Sequence, residues 1–232
     1  MPPIAPVPSR TRFRGRLPFA AAALVACLVL AACNPAGTAR QQAATCAVGV
    51  VGDSLTVGAQ SQGDLEGALT ADGCTVTAVD AVIGRSTASG ADVVEAWAAA
   101  GTLPSILIVE LGTNDCSADA FEASARRVLD AAGPDLPIVW VNTWRTGCDE
   151  AVNAVIEELQ VEDGGHRLWV LDHHTWIAAH AEYLADDGIH LTTAGYVAYA
   201  ARMAASVGEP SLFASALDRV EQVIGDGVGQ LV

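Results

Sequence analysis

Apolar residues gather in five short, β-branched runs: Ala47–Val51, Thr75–Ile83, Ser105–Leu111, Pro137–Asn142 and Arg167–Leu171. Each run is nearly continuous in hydrophobicity, as a strand buried on both faces requires. Between them lie longer alanine-rich segments with helical spacing and polar faces. These cover roughly 57–72, 88–100, 117–132 and 149–162, with a fifth at 192–207. Asp72-Gly73 and Gly133-Pro134 supply stop signals. Strand and helix in alternation predict an α/β domain over residues 46–208: a five-stranded parallel sheet, covered on both faces, with right-handed crossovers.

The two ends follow other patterns. Residues 1–16 are proline-rich and carry Arg10, Arg12, Arg14 and Arg16, and 17–32 form an uncharged apolar run. A basic start, a short apolar stretch and small residues before a cut site describe a secretory signal peptide over 1–32. Leu30-Ala31-Ala32-Cys33 resembles a bacterial lipobox, which implies lipidation at Cys33 and a cell-membrane lipoprotein. A plain signal peptide or an uncleaved anchor is the alternative. All three readings put the rest of the chain outside the cytoplasm, either held on the outer face of the membrane or secreted. Residues 34–45 lack periodicity and read as a flexible tether. Beyond Glu209-Pro210, the residues Leu212, Phe213, Ala216, Leu217, Val220, Val223 and Ile224 recur at helical spacing. Residues 209–232 are therefore expected to hold an amphipathic helix and a short tail.

Charge narrows the partners. The chain has 12 basic and 27 acidic residues, a net −15, and no lysine. From residue 33 onward eight arginines face all 27 acids, or −19. Such a polyanion repels phosphates, which excludes nucleic acid as a partner. It also excludes a basic patch on anionic lipid, so any membrane contact is expected only through the N-terminal anchor.

Export changes the meaning of the cysteines, because outside the cytoplasm an even count suggests disulfides. Cys46 and Cys74 each stand at the start of a predicted strand, whereas Cys116 and Cys148 each follow the end of one. Like ends of neighbouring parallel strands can lie close, so the expected pairs are Cys46–Cys74 and Cys116–Cys148. No C-x-x-C spacing supports a metal instead, and none is expected.

In an open parallel sheet, ligands bind beyond the carboxyl ends of the strands. Those ends offer Gly52-Asp53-Ser54-Leu55, Ile83-Gly84-Arg85-Ser86, Gly112-Thr113-Asn114-Asp115 and, after the fifth strand, Asp186-Asp187-Gly188-Ile189-His190. These residue types suit acyl transfer. A serine hydroxyl is a weak nucleophile until a base takes its proton. His190 is the candidate base, and Asp187 the acid that fixes its tautomer. The backbone N–H groups of Ser54 and Gly84 and the Asn114 amide are candidate donors to an oxyanion.

The other residues near these blocks are expected to be structural: Asp53 and Asp115 as loop and cap acids, Arg85, Trp144 and Arg145 as packing or rim residues. His173 and His174 are read as neighbours on a strand-like segment that point to opposite faces.

The four blocks, in this order over roughly 47–200, resemble the GDSL, or SGNH, hydrolase superfamily. Its name lists a serine, glycine, asparagine and histidine, which match Ser54, Gly84, Asn114 and His190. The resemblance implies a flavodoxin-like three-layer α/β/α sandwich with sheet order 2-1-3-4-5. It implies acyl ester hydrolysis through an acyl-enzyme, with no cofactor, on a small or glycan-linked ester. Thr56 stands where a Gly-x-Ser-x-Gly elbow would need glycine, which favours the SGNH arrangement. Asp80–Arg85 and Asp187–Thr192 also resemble the extracytoplasmic domains of cell-wall O-acetyltransferases. The alternatives are therefore an O-acetyltransferase acting on a glycan and a non-catalytic surface binding lipoprotein.

Overall fold

The computed structural model describes residues 46–208. The expected signal peptide, Cys33, the tether and the 209–232 helix lie outside the described residues. Five strands form one parallel sheet: β1 Ala47–Gly52, β2 Thr75–Ala81, β3 Ile106–Glu110, β4 Ile138–Val141 and β5 Leu168–Leu171. Their spatial order is β2-β1-β3-β4-β5, as the resemblance implies. No helix among the described residues is long and apolar enough to cross a membrane.

The period-two geometry of a strand divides the core in two. Val48, Val50, Ile106, Ile108, Val139 and Val141 point to one face. They meet α1 (Ser54–Gly63), α2 (Leu65–Ala71), α6 (His173–Ala179) and α7 (Thr193–Val207). Val51, Leu107, Val109, Leu111, Ile138 and Trp140 point to the other face, against α3 (Thr87–Ala100), α4 (Ala118–Ala132) and α5 (Asp149–Asp163). This double covering is what makes the strand sequences read as unbroken apolar runs. The helices α1 and α7 pack without room for side chains at the seam. A Cβ on Gly63 would lie 2.4 Å from the Tyr196 carbonyl oxygen, and one on Gly58 would lie 2.1 Å from the Tyr196 ring.

Three local expectations are revised. The segment expected as one helix over 57–72 begins earlier and is two helices. Asp53 caps α1 by accepting from the Leu55 N–H, and Asp64, at φ 52°, breaks the chain between α1 and α2. Aspartate tolerates this left-handed conformation better than most residues. Second, β2 ends at Ala81, two residues early, because the chain turns there with Arg85 N–H donating to the Val82 carbonyl. Third, His173-His174 open helix α6 rather than lying on a strand. Asp172 supplies the cap the periodicity did not reveal, accepting from Thr175 N–H. The His173 ring is buried against Tyr199, with centroids 4.6 Å apart, and burial lowers its pKa to about 3.

Both disulfides are present with the expected partners. Cys46–Cys74 joins the amino ends of β1 and β2, with Cα atoms 4.7 Å apart. Cys116–Cys148, at 4.5 Å, joins the loop after β3 to the start of α5.

Candidate active site

The carboxyl ends of β1, β3 and β5 face one rim of the sheet, and the four sequence blocks follow strands at that rim. Ser54 is the first residue of α1, two residues beyond the end of β1. This places its hydroxyl at a helix N-terminus, where backbone N–H groups lack helical partners.

His190 and Asp187 come together on one turn between β5 and α7. Leu184 and Leu191 form an isolated antiparallel bridge that closes its base. Ala185 N–H donates to the His190 carbonyl, and Thr192 N–H to the Tyr183 carbonyl. Gly188, at φ 70°, lets the chain reverse, and the Trp144 indole N–H holds its carbonyl oxygen from outside. Within the turn, Asp187 Oδ1 accepts from the N–H groups of Ile189 and His190 at 3.0 and 2.9 Å. Its Oδ2 lies 2.6 Å from His190 Nδ1, and His190 Nε2 lies 2.9 Å from Ser54 Oγ. With Nδ1–H donated to Asp187, Nε2 is left as an acceptor for the serine hydroxyl. The hydrogen bond from His190, then those from the two backbone amides, hold the Asp187 carboxyl down at about 2. The His190 and Asp187 side chains are 40% and 51% exposed, so this pair sits at an open surface.

The expected donors differ in availability. The N–H groups of Ser54 and Gly84 donate to no acceptor among the described residues. Gly84 has φ 76°, which disfavours any side chain, and a Cβ there would meet nothing within 4 Å. Asn114 is more constrained. Its Nδ2 donates to Asp53 Oδ2 at 3.0 Å and to the Arg85 carbonyl at 3.1 Å. Both amide hydrogens are thus engaged, and a third acceptor would have to share or displace one.

The residues expected to be structural tie the loops together. Asp115 Oδ2 accepts from Thr87 N–H and Thr87 Oγ1, joining the loop after β3 to the start of α3. Buried Arg85 is no rim charge. It pairs with Asp80 and donates to the Gly52 carbonyl, clamping β2 against β1. Arg145 donates to the Thr113 carbonyl beside the second disulfide. One residue below the serine escaped the sequence reading. Glu110, 2% exposed, closes β3, and its Oε2 accepts from Thr56 N–H, Thr56 Oγ1 and Asp53 N–H. An acid ending a continuous apolar strand was the available signal. No group of three or more His, Cys, Asp or Glu side chains among the described residues could hold a metal.

A serine, a histidine and an acid in hydrogen-bonded series, at the carboxyl rim of a parallel sheet, can perform nucleophilic acyl chemistry. The sequence profile of the GDSL-like lipase/acylhydrolase family matches residues 50–198, and the chain belongs to that family. Its class is that of the serine ester hydrolases of the SGNH type. No curated protein matches the chain by sequence.

Solved structures with the same fold include the C-terminal catalytic domain of peptidoglycan O-acetyltransferase A from Streptococcus pneumoniae. It is 15% identical, with a TM-score of 0.58, over 74% of this chain and 94% of that one. A psychrotrophic esterase from Pseudoalteromonas sp. is 12% identical, with a TM-score of 0.58, over 70% and 96%. A carbohydrate esterase family 3 protein from Talaromyces cellulolyticus is 20% identical, with a TM-score of 0.55, over 69% and 95%.

Proposed function

We propose that this protein is an exported serine esterase in which Ser54, His190 and Asp187 form the catalytic triad, acting on a small or glycan-linked acyl ester. The observation that carries the reading is the unbroken series from Asp187 Oδ2 through the imidazole to Ser54 Oγ. Ser54 Oγ attacks the ester carbonyl while its proton passes to His190 Nε2. Asp187 stabilises the imidazolium that forms. The oxyanion is received by the N–H groups of Ser54 and Gly84, with Asn114 joining if its amide releases a present acceptor. The imidazolium then gives its proton to the leaving alcohol, and the acyl-enzyme remains. Water, deprotonated by the same nitrogen, releases the acid and restores the serine.

The exposure of the His190–Asp187 pair supports an ester on a bulky alcohol, since a polymer can approach an open rim. Aromatic residues make up only 5% of the chain, too few to favour a broad lipid groove, so short acyl esters are the expected substrates. A fluorophosphonate probe should label Ser54, and acetyl esters should turn over at least about tenfold faster than palmitoyl esters. A reversed preference would reject the short-acyl reading. Asp187 is held down at about 2, so it stays ionised through the working range and can pair with the imidazolium as it forms.

The likeness in fold to a peptidoglycan O-acetyltransferase domain supports a second reading, in which a glycan hydroxyl replaces water as acceptor. Comparing acetyl transfer with acetate release, with and without glycan, separates the two. Two disulfides support an oxidising, extracytoplasmic location, and the Leu30–Cys33 segment supports a lipid anchor. Palmitate incorporation that persists in Cys33→Ser would reject that anchor.

A further inference from the structure

We infer that Glu110 is a positioning residue for this site: a neutral acid that donates a hydrogen bond to Asp53 and thereby holds the Asn114 amide and the first turn of α1 beneath Ser54. The inference deepens the triad reading and rests on it for its catalytic consequence, though not for the protonation itself.

Two buried acids meet beneath Ser54: Glu110, 2% exposed, accepts from the Asp53 backbone N–H at 3.2 Å, and its carboxyl group is in hydrogen-bond contact with that of Asp53, 0% exposed. Two like charges cannot both persist at that distance away from water, so the pair must hold a proton. Among the described residues no arginine pairs with either acid. The nearby Arg85 directs its guanidinium to Asp80 and to the Gly52 carbonyl.

The hydrogen bonds decide which acid carries the proton. Asp53 accepts at both oxygens, from Leu55 N–H at Oδ1 and from Asn114 Nδ2 at Oδ2. Glu110 accepts three donors, all at Oε2. Its Oε1 receives no donor among the described residues, and is the one oxygen of the four free to bear hydrogen. Burial, and then the Asp53 charge, push the Glu110 carboxyl well above the carboxylate range, in agreement with that assignment. The titratable groups facing the pair are His190 from the β5–α7 turn and Tyr196 and Tyr199 from α7.

The consequence is mechanical. Glu110 Oε2 holds the Thr56 and Asp53 amides on either side of Ser54, while Asp53 orients Asn114 towards the Arg85 carbonyl next to Gly84. One buried acid thus links the nucleophile turn to two of the three candidate oxyanion donors.

The test compares Glu110→Gln with Glu110→Leu in the full chain. The amide of glutamine can accept at one atom and donate to Asp53 at the other, as the neutral acid does. Glu110→Gln should stay within about threefold of wild-type kcat for a short p-nitrophenyl ester, whereas Glu110→Leu should lose about 10²-fold in kcat with KM little changed. Infrared spectra near pH 8 should show the carbonyl band of a protonated, buried carboxylic acid in wild type and not in Glu110→Gln. That band needs no turnover, so it stands even if the triad reading fails. Its absence from wild type, or its persistence in Glu110→Gln, overturns the inference. So does a Glu110→Gln variant that folds but is slowed 10²-fold, or a folded Glu110→Leu variant with wild-type kcat. If Glu110→Leu does not fold, the spectrum and the glutamine variant still decide.

Discussion

Ser54→Ala is expected to lower kcat for a short p-nitrophenyl ester by about 10⁴- to 10⁶-fold while leaving the melting temperature within a few degrees of wild type. The size of the loss follows from what is removed. Alanine has no oxygen to form the acyl-enzyme, so reaction must fall back on direct attack by water. The oxyanion donors and the histidine remain, and they retain a small residual rate over the uncatalysed reaction. Stability should hardly change, because Ser54 is not the cap of α1; that role belongs to Asp53. His190→Ala should show a loss of the same order, and the double variant should be little worse than either single one, since the residues act as a unit. Steady-state rates and thermal melts of the three variants make the check. A purified Ser54→Ala protein that cleaved the ester within tenfold of wild type would end the triad reading.

The disulfides give the largest expected effect on stability, and the two should behave differently. Their cysteines are separated by 28 and 32 residues. Closing loops of that length in the unfolded chain stabilises the fold by roughly 3–4 kcal/mol each on chain-entropy reasoning. Replacing one pair by serines should therefore lower the melting temperature by roughly 7–14 °C. Cys46–Cys74 binds the amino ends of β1 and β2, at the edge of the sheet opposite Ser54. Its loss should cost stability alone. Cys116–Cys148 stands two residues from Asn114 and bridges to the segment whose Arg145 holds the Thr113 carbonyl. Its loss should reduce kcat as well, measured well below the melting point. Equal kcat in both double-serine variants would show that the second bridge does not position the Asn114 loop.

Much of this architecture was legible in the chain because burial on both faces leaves a simple trace. Apart from Gly49, the strand runs around Val48–Val51, Ile106–Val109 and Ile138–Val141 are apolar at every position, and those positions divide between two cores. The strand order was not legible from periodicity. It came from resemblance, because crossover direction leaves no mark on hydropathy. The disulfide partners could be argued because each pair shares one end of the sheet.

What escaped was set by side-chain hydrogen bonds. Helix α6 depends on Asp172, and its first turn holds two histidines, poor helix signals. The break at Asp64 depends on one residue adopting φ 52°. At the site, Ser54, Asp187 and His190 were nameable because their residue types carry the chemistry. Glu110 left only the trace of an acid ending an apolar strand; its role comes from which of its oxygens is occupied, and no residue pattern records that.

In the turn that carries His190, Asp187 binds the imidazole with one oxygen and the turn's own backbone with the other. The histidine and its acid thus belong to one preassembled unit, while the serine belongs to a separate helix. Any displacement of the turn as a body would separate the ring from Ser54 Oγ yet leave its bond to Asp187 intact.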